Sequence, residues 1–160
     1  MITRSYDPDS FGFLITDIAR LYRAEFDRRI AQAGLKITPA EARTLVHVAR
    51  QGPLRQAILA ERMGIEAMTL SGHLDRLEAR AMIRREAASE DRRTKQVHLT
   101  AAGTQMLDFI HQISGSIRGT VSDMVAPEEW DGLNRALKSI RNDLVDRTRN
   151  RHDQKLTVEK

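Results

Sequence analysis

The chain has 160 residues, with 26 Lys and Arg against 22 Asp and Glu, a formal net charge of +4 and no cysteine. That length holds one domain with a substantial core, or two small lobes sharing helices. The lack of cysteine excludes a disulfide framework, thiolate catalysis, a thiol switch and any Cys-based zinc site.

The first helix is expected over Ser10–Ala33, where Phe11, Leu14, Ile15, Ile18, Tyr22, Phe26 and Ile30 recur at helical spacing. Gly34 supplies its stop. Before it, Met1–Asp9 has no apolar core of the kind a secretory signal carries. No apolar run in the chain approaches bilayer-spanning length. The expectation is a cytoplasmic protein with no membrane partner.

The second helix has a sharp start. Thr38 is an N-cap, Pro39 sits at the first helical position and Glu41 completes a capping box. Leu45, Val48 and Ala49 give it an apolar face, and Gly52-Pro53 ends it. A third helix over Arg55–Met63, a turn at Gly64-Ile65 and a fourth helix over about Glu66–Arg80 form a helix-turn-helix. Two short strands follow, Ile83–Glu86 and Gln96–Leu99, joined by the charged loop Ser89–Lys95.

Thr100 then caps a long helix from Ala101 to about Met124, with Leu107, Ile110, Ile113, Ile117, Val121 and Met124 as its stripe. Gly115 and Gly119 weaken that helix, which points to close packing or a bend. Pro127-Glu128-Glu129 opens the last helix, whose stripe is Trp130, Leu133, Leu137, Ile140 and Leu144. The fold class is therefore mainly α with a small β-hairpin wing, in the order α-α-α-α-β-β-α-α. Residues 37–103 form a winged helix-turn-helix module. Residues 1–36 and 104–150 are expected to form a helical dimerisation lobe, because their apolar faces exceed what a small lobe covers; the alternative is that these helices pack only on the central module. Residues 151–160 read as a flexible tail.

The fourth helix is the natural reader of duplex DNA. Leu70, Leu74 and Leu77 share one narrow arc and must face the core, against Leu59, Ala60, Met63 and Ile65. The opposite arc holds Met68, Thr69, Gly72, Asp75, Arg76 and Ala79, with Ser71 and His73 on its flanks. Thr69 and Ser71 suit bases or phosphates, Met68 suits a thymine methyl, and Arg76 reaches guanine or phosphate. Gly72 stands where a reader gains from a long side chain. Either the backbone approaches DNA closely there or specificity is carried elsewhere. From Arg76 to Lys95 there are 7 basic residues against 4 acidic ones. Arg92 or Arg93 at the wing tip suits a narrow minor groove, Lys95 adds charge, and Asp91 suits an ion pair that orients an arginine.

Enzyme chemistry finds no support. There is no Gly-rich phosphate loop, nucleophile elbow or metal-binding helix motif. Ser71-Gly72-His73 is too contiguous on one helix for a catalytic dyad. His47, His73, His98, His111 and His152 include no i, i+4 pair, so neither a metal nor another cofactor is expected. The competing reading is a protein-interaction module that keeps a winged helix without specific DNA reading, to which Gly72 and the acidic Glu90-Asp91 lend weight.

These residues resemble the MarR family of winged-helix repressors. The match lies in Leu59-Ala60, Leu74-Asp75-Arg76-Leu77-Glu78, Ile83-x-Arg85, Asp91-x-Arg93, Val97-x-Leu99-Thr100 and Gly103. The resemblance implies a homodimer on an inverted-repeat operator, acting as a repressor. It also implies release by a small aromatic or phenolic effector bound between the lobes, for which Tyr22, Phe26, Arg43, His47 and Met63 are the candidate pocket. By the same resemblance, Arg92 or Arg93 enters the minor groove. Two departures stand out. Many relatives have Gly where this chain has Ala81, so that turn must form without it or be strained. Many carry a large polar residue where Gly72 stands.

Overall fold

The computed structural model describes residues 7–87 and 95–158, with side chains described for 7–50, 52–87 and 95–148. Among the described residues, six helices and three strands follow one another as α1 (Phe11–Gln32), α2 (Pro39–Gln51), β1 (Leu54–Arg55), α3 (Gln56–Met63), α4 (Ala67–Ala79), β2 (Ile83–Ala87), β3 (Lys95–Leu99), α5 (Ala101–Ser122) and α6 (Pro127–Val158). The sheet is antiparallel in the order β1-β3-β2, with Leu54 opposite Val97 and Ile83 opposite Leu99.

The expected elements are present, with two differences. β1 was not anticipated: two residues after Gly52-Pro53 are too short to show any periodicity. It converts the expected two-stranded wing into a three-stranded sheet with β3 at its centre. The last helix runs through Val158, beyond residue 150, where the flexible tail was expected to begin. No glycine or proline interrupts the chain after Gly132, so nothing local stops that helix.

The chain divides into two compact units, Met1–Ile117 and Arg118–Lys160. The core of the first joins α1, α2, α3, α4, the sheet and α5. It comprises Phe26, Ile30, Leu45, Val48, Leu59, Leu70, Leu74, Leu77, Ile83, Val97, Leu107, Ile110 and Ile117 among others. Gly115 is not a site of close packing, since a Cβ there would meet nothing within 4 Å, and α5 continues unbroken through it.

Start and stop signals act locally as their chemistry requires. At α2 the Glu41 amide donates to Thr38 Oγ1 (3.2 Å) and the Thr38 amide donates to Glu41 Oε2 (2.9 Å), a complete capping box. α3 ends at Gly64 in the left-handed region, with the Gly64 amide donating to the Glu61 carbonyl and that of Ile65 to Ala60. α4 ends in the same hydrogen-bond pattern. The Ala81 amide donates to Glu78 and that of Met82 to Leu77, but the left-handed residue is an alanine, at φ 53°. The turn at Ala81 therefore forms without glycine and is strained.

In the second unit, Pro127 opens α6 with Glu128 and Glu129 in its first turn. Glu129 reaches back to accept from the Ala126 amide at 3.1 Å. Leu133, Leu137, Ile140 and Leu144 on α6 are exposed. In the first unit, Phe11, Phe13, Leu14, Ile15, Ile18, Leu21 and Tyr22 on α1 are exposed, while Phe26 and Ile30 enter the core.

Candidate nucleic-acid interface

α4 carries the face the sequence singles out. Leu70, Leu74 and Leu77 are fully buried, against buried Leu59 and Ala60, with Met63 and Ile65 partly buried at the edge. Met68 is 83% exposed, Thr69, Asp75, Arg76 and Ala79 are exposed, and Ser71, Gly72 and His73 are partly so. The N-cap residue Glu66 makes no side-chain cap, so it adds no acceptor for the first amides of α4.

Two ionic clusters hold this helix. The first ties it to the wing. Arg85 of β2 donates through Nε and a terminal nitrogen to Glu78 Oε2 (2.9 and 2.5 Å) and through the same terminal nitrogen to Asp75 Oδ1 (2.6 Å). Its amide also donates to Glu78 Oε1 at 3.0 Å. The Arg85 side chain holds the Glu78 carboxyl below the usual carboxylate range. Asp75, placed by sequence on the outward arc, is thus a partner of the wing strand.

The second cluster ties α4 to α2. Glu41, buried, receives Arg76 Nε on Oε1 (2.5 Å) and an Arg80 terminal nitrogen on Oε2 (2.8 Å). Burial pushes its pKa up, but the Thr38 amide, Arg76 and Arg80 outweigh that and hold it below the ordinary value. Arg76, read from sequence as a DNA contact, is therefore already engaged through Nε and keeps its two terminal nitrogens. Beside this cluster, buried Thr44 donates its hydroxyl to the Ala40 carbonyl (2.9 Å). It therefore accepts from His73 Nδ1 (3.2 Å), which fixes the neutral tautomer. Sequence reasoning gave Glu41 only a capping role and left Arg80 and Arg85 without one. The i, i+4 spacing of Arg76 and Arg80 was the available signal for a shared acidic partner.

On the wing, Lys95 is exposed at the start of β3, opposite Ala87. Asp91, Arg92 and Arg93 lie outside the described residues. Among the described residues, no cluster of His, Asp or Glu suits a metal ion and no helix is long and apolar enough to cross a membrane.

The candidate effector residues differ in their surroundings. Phe26 is a core residue and Met63 packs against the core. Tyr22 is exposed on α1, and Arg43 is paired with Asp27. His47 has a buried Nδ1 without a partner among the described residues. Burial lowers its pKa, and Arg50, Arg23 and Arg43 push it the same way. An open groove along α1 is lined by Ile15, Thr16, Ala19, Arg20, Arg23, Ala24 and Asp27.

Comparison with known proteins agrees with this geometry. The MarR family profile matches residues 37–95. The crystal structure of the transcriptional regulator PA3341 is 33% identical, with a TM-score of 0.69, over 85% of this chain and 98% of that one. Wild-type MarR from E. coli is 20% identical, with a TM-score of 0.71, over 85% and 98%. MepR from S. aureus, solved as a complex with DNA, is 21% identical, with a TM-score of 0.65, over 87% and 99%. The last two share the fold. With the winged helix formed and a regulator one third identical along almost its whole length, this chain is a member of the MarR family of transcriptional regulators.

Proposed function

We propose that the protein is a homodimeric, sequence-specific DNA-binding repressor whose operator is an inverted repeat, and that a small aromatic or phenolic acid releases it. The observation that carries the reading is the face of α4. Met68, Thr69 and Arg76 stand outward on a helix whose leucines are buried and whose flank is braced to a wing strand by Arg85. In this reading Thr69, Ser71, Gly72 and His73 line the major groove, and Lys95 with Arg92 or Arg93 meets the backbone and minor groove. The lobe of residues 1–36 and 104–150 pairs two copies. The exposed apolar faces of α1 and of α6 support that pairing, each on its own unit. For the effector, support comes from the Nδ1 of His47, unpartnered among the described residues, and from the arginines near it, surroundings that favour a carboxylate.

The test is binding to the DNA upstream of the protein's own gene, against random duplex, across a salt series. Tight binding to one inverted repeat, a clear gap over random sequence and a steep loss of affinity with salt are expected. Sedimentation should give a dimer, with its two α4 helices about one DNA turn, roughly 34 Å, apart on the operator. A monomer with equal, weak binding to every duplex overturns the reading.

A further inference from the structure

Gly72 sits in the middle of the outward arc of α4, and nothing in the packing requires glycine there. Its backbone is not in the left-handed region, and a Cβ would meet only a terminal nitrogen of Arg76, at 3.5 Å, an ordinary contact. The space above Gly72 is therefore taken by the Arg76 guanidinium, folded back one helical turn. An exposed arginine samples many rotamers, so this placement needs a restraint. Glu41 supplies it. Its Oε1 accepts from Arg76 Nε at 2.5 Å, while its Oε2 accepts from Arg80 and from the Thr38 amide at 2.8 and 2.9 Å. The carboxylate is buried and tied from three residues, so it cannot follow the guanidinium outward.

Engaging Nε selects the way this guanidinium meets a ligand. A guanidinium faces a pair of acceptors either with Nε and one terminal nitrogen or with both terminal nitrogens. With Nε on Glu41, the fork of two terminal nitrogens remains, on a side chain that is half exposed. Two parallel donors in a fixed direction match N7 and O6 of guanine in the major groove. A phosphate contact needs no such orientation, because a single mobile donor suffices. Resting on the DNA-binding reading above, we infer that Arg76 is the guanine-reading residue of α4, aimed by Glu41 across the gap that Gly72 leaves, so that Glu41 and Gly72 are positioning residues for base recognition.

The experiment selects bound sites from a randomised duplex pool with the full chain and with Arg76→Lys, Gly72→Gln and Glu41→Gln. The wild type should prefer one G·C pair in each half-site by about tenfold, and Arg76→Lys, which keeps the charge without the fork, should lose that preference. Gly72→Gln has room for its Cβ, improves helix propensity and fills the guanidinium's place, so it should fold and flatten the same base pair. Glu41→Gln keeps a capping acceptor for the Thr38 amide and should flatten that pair alone. Thermal melts confirm folding of each variant. Unchanged base preference in Arg76→Lys and Gly72→Gln, with affinity lowered equally on all sequences, overturns the inference and makes Arg76 a phosphate contact. A wild-type chain that enriches no sequence overturns the DNA-reading function, and the inference with it.

Discussion

The carbonyl oxygen of Met82 occupies the space that a side chain at Gly103 would need, for a Cβ built there falls 2.1 Å from it. The close approach comes from the start of α5. Thr100 donates its amide to Met82 O (3.2 Å) and its hydroxyl to Ala81 O (2.6 Å), and accepts from the Gly103 amide (3.1 Å). Thr100 and Gly103 thus seat α5 on the turn that leads into the wing. Gly103→Ala should destabilise the protein by about 1–3 kcal/mol, overriding the gain in helix propensity of about 1 kcal/mol. A denaturant midpoint equal to or above that of the wild type would mean that the turn yields without cost.

Ala81 predicts a change of the opposite sign. It holds a left-handed φ of 53° at the end of α4, a conformation that costs a side chain about 1–2 kcal/mol. Ala81→Gly relieves that strain but enlarges the freedom of the unfolded chain, so the net gain should be about 0.5–1 kcal/mol. Calorimetry should show a higher melting temperature with DNA affinity unchanged. A lower melting temperature would show that the strain is already relaxed.

Arg85 should matter to both stability and binding. Its partly buried guanidinium joins Glu78 and Asp75 of α4 to β2, and a lysine cannot reproduce that fork. Arg85→Lys should cost about 1–2 kcal/mol of stability. In a double-mutant cycle with Glu78→Gln, a coupling of at least about 0.5 kcal/mol is expected. Additive effects would mean that the wing is held by its strand pairing alone.

Stability should fall on mild acidification. Burial lowers the pKa of His47 and of His73. Arg50, Arg23 and Arg43 add to the effect at His47, and Arg76 and Arg43 at His73, where Glu41 opposes them. Both imidazoles therefore bind protons less readily folded than unfolded. Their contribution is complete above the unfolded value of about 6.5 and is lost as pH falls from there through the lowered folded values. Melting temperatures from pH 8 to pH 5 should decline, and less steeply in His47→Gln/His73→Asn. Parallel profiles would remove both histidines from the account.

What the sequence disclosed is what short-range chemistry controls. Thr38, Pro39 and Glu41 lie within one turn, so their capping box is readable from spacing. Leu70, Leu74 and Leu77 repeat at helical intervals, so their burial is too. β1 has two residues, and no pattern fits in two. The pairing of Glu41 with Arg76 and Arg80 spans 35 and 39 positions, and that of Arg85 with Asp75 and Glu78 crosses a turn whose geometry only the fold provides. Gly103 belongs to a recognisable motif, yet its reason, the Met82 carbonyl, appears only when α5 is set against the turn before β2. The effector residues were chosen by type and neighbourhood, and Phe26 and Met63 show how readily apolar side chains of that kind belong to a core instead.

Glu41 serves two structures with one carboxylate: it closes the first turn of α2 and it seats α4 through Arg76 and Arg80. The opening of α2 at its first turn and the release of the reading helix are therefore a single cooperative event, not two independent fluctuations. Amides at the start of α2 and along α4 should exchange with solvent at a common opening free energy, and Glu41→Ala, which removes cap and seat at once, should lower both together. The alignment of the DNA-facing helix is then only as durable as the cap of its neighbour.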